Sequence, residues 1–166
     1  FLKQDIRKIG SGNIGTTNVL RTGKKTLAIA TLLLDIFKGY VSVIISIKYF
    51  NDLVFISALI CFIGHIFPIW LKFKGGKGVA VYLGIILALS FALGVVFGIT
   101  WIFIAFIFKY SSFASIIGSL TVLLYSITLN NYSFSFFLFI IFIIILFTHR
   151  ENIIRLKNSK EGKIKL

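Results

Sequence analysis

Cysteine and acidic residues are scarce in this chain, and both shortages narrow what the protein can be. The single cysteine, Cys61, excludes a disulfide or a cysteine-based metal site within one chain. It lies in an apolar run, where a free thiol usually packs as a small hydrophobic side chain. The chain has only 5 Asp and Glu residues against 18 Lys and Arg residues, and the resulting net charge of +13 predicts an anionic partner.

The chain also lacks a Walker A loop, although the segment 75–78, Gly-Gly-Lys-Gly, superficially looks like part of one. The Walker pattern requires a glycine five positions before its Gly-Lys pair, where Leu71 stands. It also requires Ser or Thr after the lysine, where Gly78 stands, so the hydroxyl that binds magnesium is missing. Nucleotide hydrolysis is therefore disfavoured.

Long apolar runs are abundant, and they set the class of the protein. The chain is 58% hydrophobic despite its net charge, so apolar runs and cationic segments must alternate along it. This alternation is typical of an integral membrane protein. It also favours a lipid surface and an anionic substrate as partners, rather than nucleic acid.

The apolar runs predict a single domain over residues 1–166, an all-α polytopic bundle with six membrane helices, two of them short. The predicted spans are 27–50, 53–70, 79–90, 91–108, 111–130 and 133–149. Because the chain has no initiating Met and begins in a basic segment, we expect an amino-terminal truncation that removed a preceding membrane helix. Counting that helix, the bundle would have seven.

The apolar run 79–108 is predicted to be a hairpin rather than one helix. A single helix of this length would measure roughly 45 Å, more than a tilted helix needs to cross a ~30 Å hydrocarbon core. The basic segments 1–25, 72–77 and 149–165 should lie on one side of the membrane, which requires an even number of crossings after Lys77. We therefore expect two short helices that meet near Ser90.

The first predicted span contains two ionisable residues, Asp35 and Lys38. Their i, i+3 spacing places them on one helix face, where they can pair. Charged groups at this depth are costly and often functional. A structural ion pair that faces the bundle is the preferred interpretation, and a catalytic role is the alternative.

The segment 64–78 combines glycines and cations between two apolar runs. Its glycines allow positive φ and a close approach of backbone N–H groups to a ligand, and Lys77 adds a mobile charge. A helix that begins near Gly78 would add unpaired N–H groups and its dipole. The segment predicts a phosphate site at a membrane surface. A flexible loop with positive-inside lysines is the alternative.

Two further polar segments carry candidate functional groups. The segment 10–21 matches G-x-G-x-x-G, but it lacks the preceding strand that a dinucleotide-binding fold requires. The segment still offers a cluster of hydrogen-bond donors, in which Arg21 is able to bind phosphate. A capped loop before a helix is the alternative. In the segment 149–163, His149 and Asn152 share one face of a continuing helix. His149 is either an interface residue or a catalytic one.

Together, the three segments resemble the PlsY family of integral-membrane acyl-phosphate:glycerol-3-phosphate acyltransferases. The resemblance covers nearly the whole chain, including Asp35-Ile36-Phe37-Lys38-Gly39 and Ser112-Phe113-Ala114-Ser115. It implies transfer of a fatty acyl group from acyl phosphate to glycerol 3-phosphate, giving lysophosphatidic acid for phospholipid biosynthesis. It also implies a multi-pass protein of the bacterial inner membrane with its active site on the cytoplasmic face.

The resemblance assigns roles to residues of all three segments. The catalytic positions are Ser11, Arg21, His149 and Asn152. The substrate-binding positions are Asn13, Thr17, Asn18, His65, Lys74, Gly75, Gly76, Lys77, Gly78 and Ser115. The structural positions are Asp35, Lys38, Glu151 and Glu161. No metal and no cofactor are implied; the implied partners are acyl phosphate, glycerol 3-phosphate, membrane lipids and, as further candidates, other phospholipid-synthesis enzymes.

A transporter or channel for organic phosphates and a lipid-binding scaffold are the competing hypotheses. A transporter would place ionisable groups near the midplane between repeats, whereas only Asp35 and Lys38 lie deep and the chain shows no clear repeat. A soluble-type acyltransferase with His and Asp five residues apart is excluded, because Trp70 and Ile154 follow the two histidines at that spacing. For the enzyme, we expect one pocket that gathers Ser11, Arg21, Lys77, His149 and Asn152.

Overall fold

The structure, a computed structural model, describes residues 5–9 and 12–164, and all regular secondary structure among them is helical. The α-helices are α1 Thr16–Arg21, α2 Lys25–Tyr49, α3 Val54–Ile66, α4 Val79–Leu89, α5 Phe91–Phe108, α6 Ser111–Ile127, α7 Tyr132–Thr148 and α8 Arg150–Lys157. Short 3-10 turns occupy Ile6–Lys8, Asn51–Leu53 and Ile69–Leu71. The predicted all-α, polytopic membrane bundle is confirmed.

The six apolar helices α2 to α7 differ in how readily each could cross a membrane. Within the described residues, α2, the segment Asn51–Leu71 and α5 are long and apolar enough by length and composition. The helices α7 and α8 pass the same test only as a pair, bent by 60° at His149. The helices α4 and α6 are apolar but shorter. Of the two arms of the predicted hairpin, α4 is short, with 11 residues, whereas α5, with 18 residues, is long enough to cross a membrane.

The predicted break near Ser90 is confirmed. Ser90 is extended, with φ −158° and ψ 108°, and it separates α4 from α5. The rings of Tyr82 on α4 and Phe97 on α5 meet edge to face, with their centroids 5.4 Å apart. In one straight helix, two residues at this separation would lie about 22 Å apart. The chain therefore folds back on itself at Ser90.

Two glycines allow α2 and α4 to pack with their backbones in contact. A Cβ atom on Gly39 of α2 would collide with the carbonyl oxygen of Val81, and one on Gly84 of α4 would collide with that of Ile36. Small residues permit this close approach between membrane helices. Asp35 of α2 and Val79 and Ala80 in the first turn of α4 line the same cavity.

The apolar core lies between the helices, below the loops that connect them. Its fully buried side chains come from α2 to α7 and include Val43, Phe62, Tyr82, Ile85, Leu93, Val122 and Ile141. Large apolar side chains on the outer faces, such as Leu34 and Phe106, are mostly exposed, as expected for a lipid-facing surface. The start of α4 and the end of α7 meet at one end of the bundle, where Thr148 donates to the carbonyl oxygen of Lys77 over 3.3 Å.

Candidate active site

One cavity of about 370 Å³ opens at this end of the bundle. Its polar lining comprises Asn13, Thr16, Thr17, Asn18, Arg21, Asp35, His65, Lys77, Ser111, Ser112, Ser115, His149, Asn152 and Glu161. Its apolar lining includes Leu32, Val79, Ala80, Leu83, Phe97, Trp101 and Ile102. The cavity thus joins a polar chamber that contains cations to an apolar arm between α2, α4 and α5.

The structure brings most of the residues singled out in the sequence to this cavity. Of the five that were expected to converge, Arg21, Lys77, His149 and Asn152 line it, and Ser11 lies outside the described residues. The other predicted residues that line it are Asn13, Thr17, Asn18, Asp35, His65, Gly78, Ser115 and Glu161. Those that do not line it are Lys38, Lys74, Gly75, Gly76 and Glu151.

A chain of hydrogen bonds connects the glycine segment to the carboxyl-terminal segment. The ammonium of Lys77 donates to Oδ1 of Asn152 over 2.5 Å, and Nδ2 of Asn152 donates to Oε1 of Glu161 over 2.6 Å. Glu161 also accepts from Oγ of Ser112 over 2.8 Å and from Nε of Arg155 over 2.8 Å. The carboxylate therefore fixes which way the Asn152 amide points, so that its oxygen faces Lys77.

Burial and hydrogen bonds change the charges in this network. Burial lowers the pKa of Lys77 to about 8, and the Glu161 carboxylate only partly opposes this effect. Burial raises the pKa of Glu161, but hydrogen bonds from Arg155, Asn152 and Ser112 outweigh it, and the pKa lies below its ordinary value. At neutral pH, Lys77 is thus cationic but close to its titration range, and Glu161 is ionised.

His149 is held in one tautomer by the end of α7. The ring is 2% exposed, and its Nδ1 lies 2.9 Å from the carbonyl oxygen of Ile145. A carbonyl oxygen can only accept, so Nδ1 carries the proton and Nε2 keeps its lone pair. His149 can therefore accept a hydrogen bond from a hydroxyl group in the cavity.

His65 has the opposite arrangement. The predicted ion pair is present, with Nζ of Lys38 2.6 Å from Oδ1 of Asp35, and the same ammonium lies 2.7 Å from Nδ1 of His65. An ammonium can only donate, so Nδ1 of His65 is the acceptor and its ring proton resides on Nε2. His65 therefore offers a donor where His149 offers an acceptor. No sequence pattern indicated this contact, because it joins residues 27 positions apart.

The glycine segment departs from the expectation that Gly75 and Gly76 present N–H groups to a ligand. The amide of Gly75 donates to Ile66 and that of Gly76 donates to His65, over 3.0 and 3.2 Å. A Cβ atom on Gly76 would collide with the His65 ring, and one on Gly75 with the carbonyl oxygen of His65. These two glycines let the segment pack against the end of α3, and their amides are already used.

The predicted helix start at Gly78 is confirmed and supplies the free amides instead. Gly78 has φ +84°, and α4 begins at the next residue. Within the described residues, the amides of Val79, Ala80 and Val81 have no acceptor. Val79 and Ala80 line the cavity, so the amino-terminal end of α4 and its dipole face an anion bound there.

The carboxyl-terminal segment closes one side of the polar chamber, a feature that sequence reasoning missed. Nη2 of Arg21 donates to the carbonyl oxygen of Gly162 over 3.1 Å. The amide of Ile164 donates to the carbonyl oxygen of Lys109 over 2.8 Å. By contrast, Glu151 is exposed and forms an ion pair with Arg155, over 3.8 Å. Asn152 and Arg155 both donate to Glu161, and their i, i+3 spacing could have indicated that the two side chains lie on one helix face.

The fold and the cavity define a multi-pass membrane protein in which a chamber lined by Arg21 and Lys77 lies next to an apolar arm. Residues 1–159 match the family model described as glycerol-3-phosphate acyltransferase. The chain belongs to this family of enzymes. It is 55% identical over 166 residues to the glycerol-3-phosphate acyltransferase of Pelagibacter ubique (strain HTCC1062), covering 100% of this chain and 86% of that relative.

Other relatives and solved structures agree. The glycerol-3-phosphate acyltransferase of Mesorhizobium japonicum is 46% identical over 160 residues, covering 96% of this chain and 82% of that relative. The crystal structure of PlsY, an integral membrane glycerol 3-phosphate acyltransferase, in its glycerol 3-phosphate form has a TM-score of 0.92 at 33% identity, covering 98% of this chain and 84% of that one. Its lysophosphatidic acid form has a TM-score of 0.87 at 32% identity, covering 93% and 81%. These comparisons support the acyltransferase hypothesis and not the transporter.

Proposed function

We propose that the cavity transfers a fatty acyl group from acyl phosphate to a hydroxyl group of glycerol 3-phosphate, releasing inorganic phosphate and lysophosphatidic acid. The observation that carries the proposal is the joining of a cationic chamber to an apolar arm in one cavity. Both substrates bear a phosphate, and only the donor bears a fatty chain. The related PlsY structures in glycerol 3-phosphate and lysophosphatidic acid forms support the same substrate and product.

The cations of the chamber bind the two phosphates. Arg21 can contact a phosphate with two parallel N–H groups, whereas Lys77 acts as a point charge. The free amides at the start of α4 add a third positive end. Cations from separate segments are needed because two phosphates within a few ångströms would otherwise repel each other.

His149 and Asn152 orient the reacting groups. Nε2 of His149 accepts a hydrogen bond from the attacking hydroxyl, whose oxygen forms a bond to the acyl carbon. The bond from that carbon to the phosphate oxygen breaks, the phosphate leaves with the electron pair, and the hydroxyl proton ends on it. Asn152, oriented by Glu161, keeps Lys77 beside the developing charge. An acyl phosphate is already activated, so positioning and charge stabilisation suffice without a cofactor.

The cavity is proposed to face the cytoplasm from the inner membrane of a bacterium. The basic segments 72–77 and 149–164 adjoin it, and positive loops favour the cytoplasmic side. A fatty chain must stay in lipid while glycerol 3-phosphate arrives from water, which also requires a site at the interface. Enzymes that make acyl phosphate or consume lysophosphatidic acid are the expected partners.

The test is phosphate release by the purified protein in detergent, with palmitoyl phosphate as donor. We expect release that depends on glycerol 3-phosphate and matches the lysophosphatidic acid formed, mole for mole. A transporter or scaffold would give no release above the rate without protein. Phosphate release at the same rate with and without glycerol 3-phosphate would indicate a phosphatase and would contradict the proposal.

A further inference from the structure

The apolar arm of the cavity is too shallow for a fatty chain. Its α4 wall runs from Val79 to Leu83, which is about 6 Å at the rise of an α-helix. A membrane fatty chain spans about half of a ~30 Å hydrocarbon core, or roughly 15 Å. Most of a bound chain must therefore leave the cavity.

The acyl chain cannot leave on the side of the arm that faces the protein core. Phe97 lines the arm with 2% exposure, and its ring packs against Tyr82 of the core, which is 1% exposed. A Cβ atom on Gly118 of α6 would already touch the Phe97 ring at 3.0 Å. This side of the arm is closed by the core.

The arm is open on the side of α5 that faces lipid. Gly98 lines the cavity, and a Cβ atom there would meet no described heavy atom within 4 Å. Ile102, one turn further along the same face, also lines the cavity but is 65% exposed. The other glycine of α5, Gly94, has no such space, since a Cβ atom would collide with Leu87.

We propose that the gap beside Gly98 and Ile102 is the lateral opening through which the acyl chain extends into the bilayer. Gly98 keeps this path clear because it has no side chain, and it thereby determines that long chains are accepted. The inference rests on the proposed function, since it assumes an acyl phosphate donor. The part of the chain near the reacting carbonyl stays in the arm beside Leu83 and Trp101.

The experiment compares donors of different chain length in the variant Gly98→Leu. A leucine would fill the gap and obstruct long chains, whereas a four-carbon chain ends before it. For palmitoyl phosphate, we expect kcat/KM to fall roughly tenfold or more, while for butyryl phosphate it stays within about twofold. An equal loss with both donors, or no loss with either, would overturn the inference.

Gly64→Leu is the matched control. Gly64 lies on α3 and does not line the cavity, and a Cβ atom added to it would also meet no described heavy atom within 4 Å. This variant should leave the ratio of the two kcat/KM values unchanged. Ile102→Trp narrows the same opening and should lower kcat/KM for palmitoyl phosphate relative to kcat/KM for butyryl phosphate. This second variant tests the inference if Gly98→Leu does not fold. Wild-type protein that used neither donor would overturn the inference together with the proposed function.

Discussion

At the scale of single residues, the two histidines of the cavity have opposite hydrogen-bonding roles. His149 donates through Nδ1 to a helix carbonyl and offers Nε2 as an acceptor, whereas His65 accepts at Nδ1 from Lys38 and offers Nε2–H as a donor. The sequence predicted that His149 is a catalytic position and His65 a substrate-binding one, but it could not show which ring nitrogen of either histidine donates. The neighbouring backbone and side chains define what each can do.

The role of His149 can be tested with two amide substitutions. In His149→Gln the side-chain amide reaches the position of Nε2, while in His149→Asn it reaches only that of Nδ1. If the acceptor in the cavity matters, His149→Asn should lose roughly 100-fold in kcat and His149→Gln clearly less. Equal losses measured by phosphate release would show that the ring acts through packing alone.

A second prediction at this scale concerns the pH dependence. Burial lowers the pKa of Lys77 to about 8, so the cation is lost as the pH rises through this value. kcat/KM for glycerol 3-phosphate should therefore decline above pH 8. In Lys77→Arg the guanidinium stays charged, and the decline should be absent up to about pH 10. A decline that persists in Lys77→Arg would assign it to another group.

Among the elements, α2 to α7 could be predicted from the apolar runs, because the hydrophobic thickness of a bilayer sets the length of a membrane helix. The break at Ser90 followed from that length together with the rule that basic loops lie on one side of the membrane. Contacts between loops could not be predicted in the same way. The bonds from Lys38 to His65 and from Asn152 to Glu161 depend on how α2, α3 and α8 pack. The packing role of Gly76 likewise depends on where the His65 ring lies.

The packing of Gly76 against the His65 ring can be tested by substitution. Gly76→Ala places a methyl group against the His65 ring, and it should mainly raise KM for glycerol 3-phosphate by displacing that ring. If the effect acts through the ring, Gly76→Ala should add little in a His65→Ala background. Gly64→Ala, with open space around its Cβ, is the control. Full additivity of the two substitutions would contradict this mechanism.

At the scale of the whole molecule, the bundle places its polar segments at one end. Single cysteines at Lys74 and Asn158, in a Cys61→Ala background, should therefore be shielded together from an impermeant reagent in intact cells. A cysteine at Asn131, which precedes α7, should be labelled because it lies at the opposite end. Labelling of Asn158 without Lys74 would contradict the hairpin at Ser90.

If separate segments form one phosphate-binding chamber, Lys77 should be essential to it and its neighbour Lys72 should not. Lys77 lines the cavity and contacts Asn152 from a distant segment, whereas Lys72, in the same loop, is exposed and does not line it. The measurement is the rate of phosphate release from palmitoyl phosphate on addition of glycerol 3-phosphate. We predict a loss of roughly 100-fold or more in Lys77→Met and less than about twofold in Lys72→Met. Equal rates in the two variants would show that Lys77 has no special part in binding the phosphates.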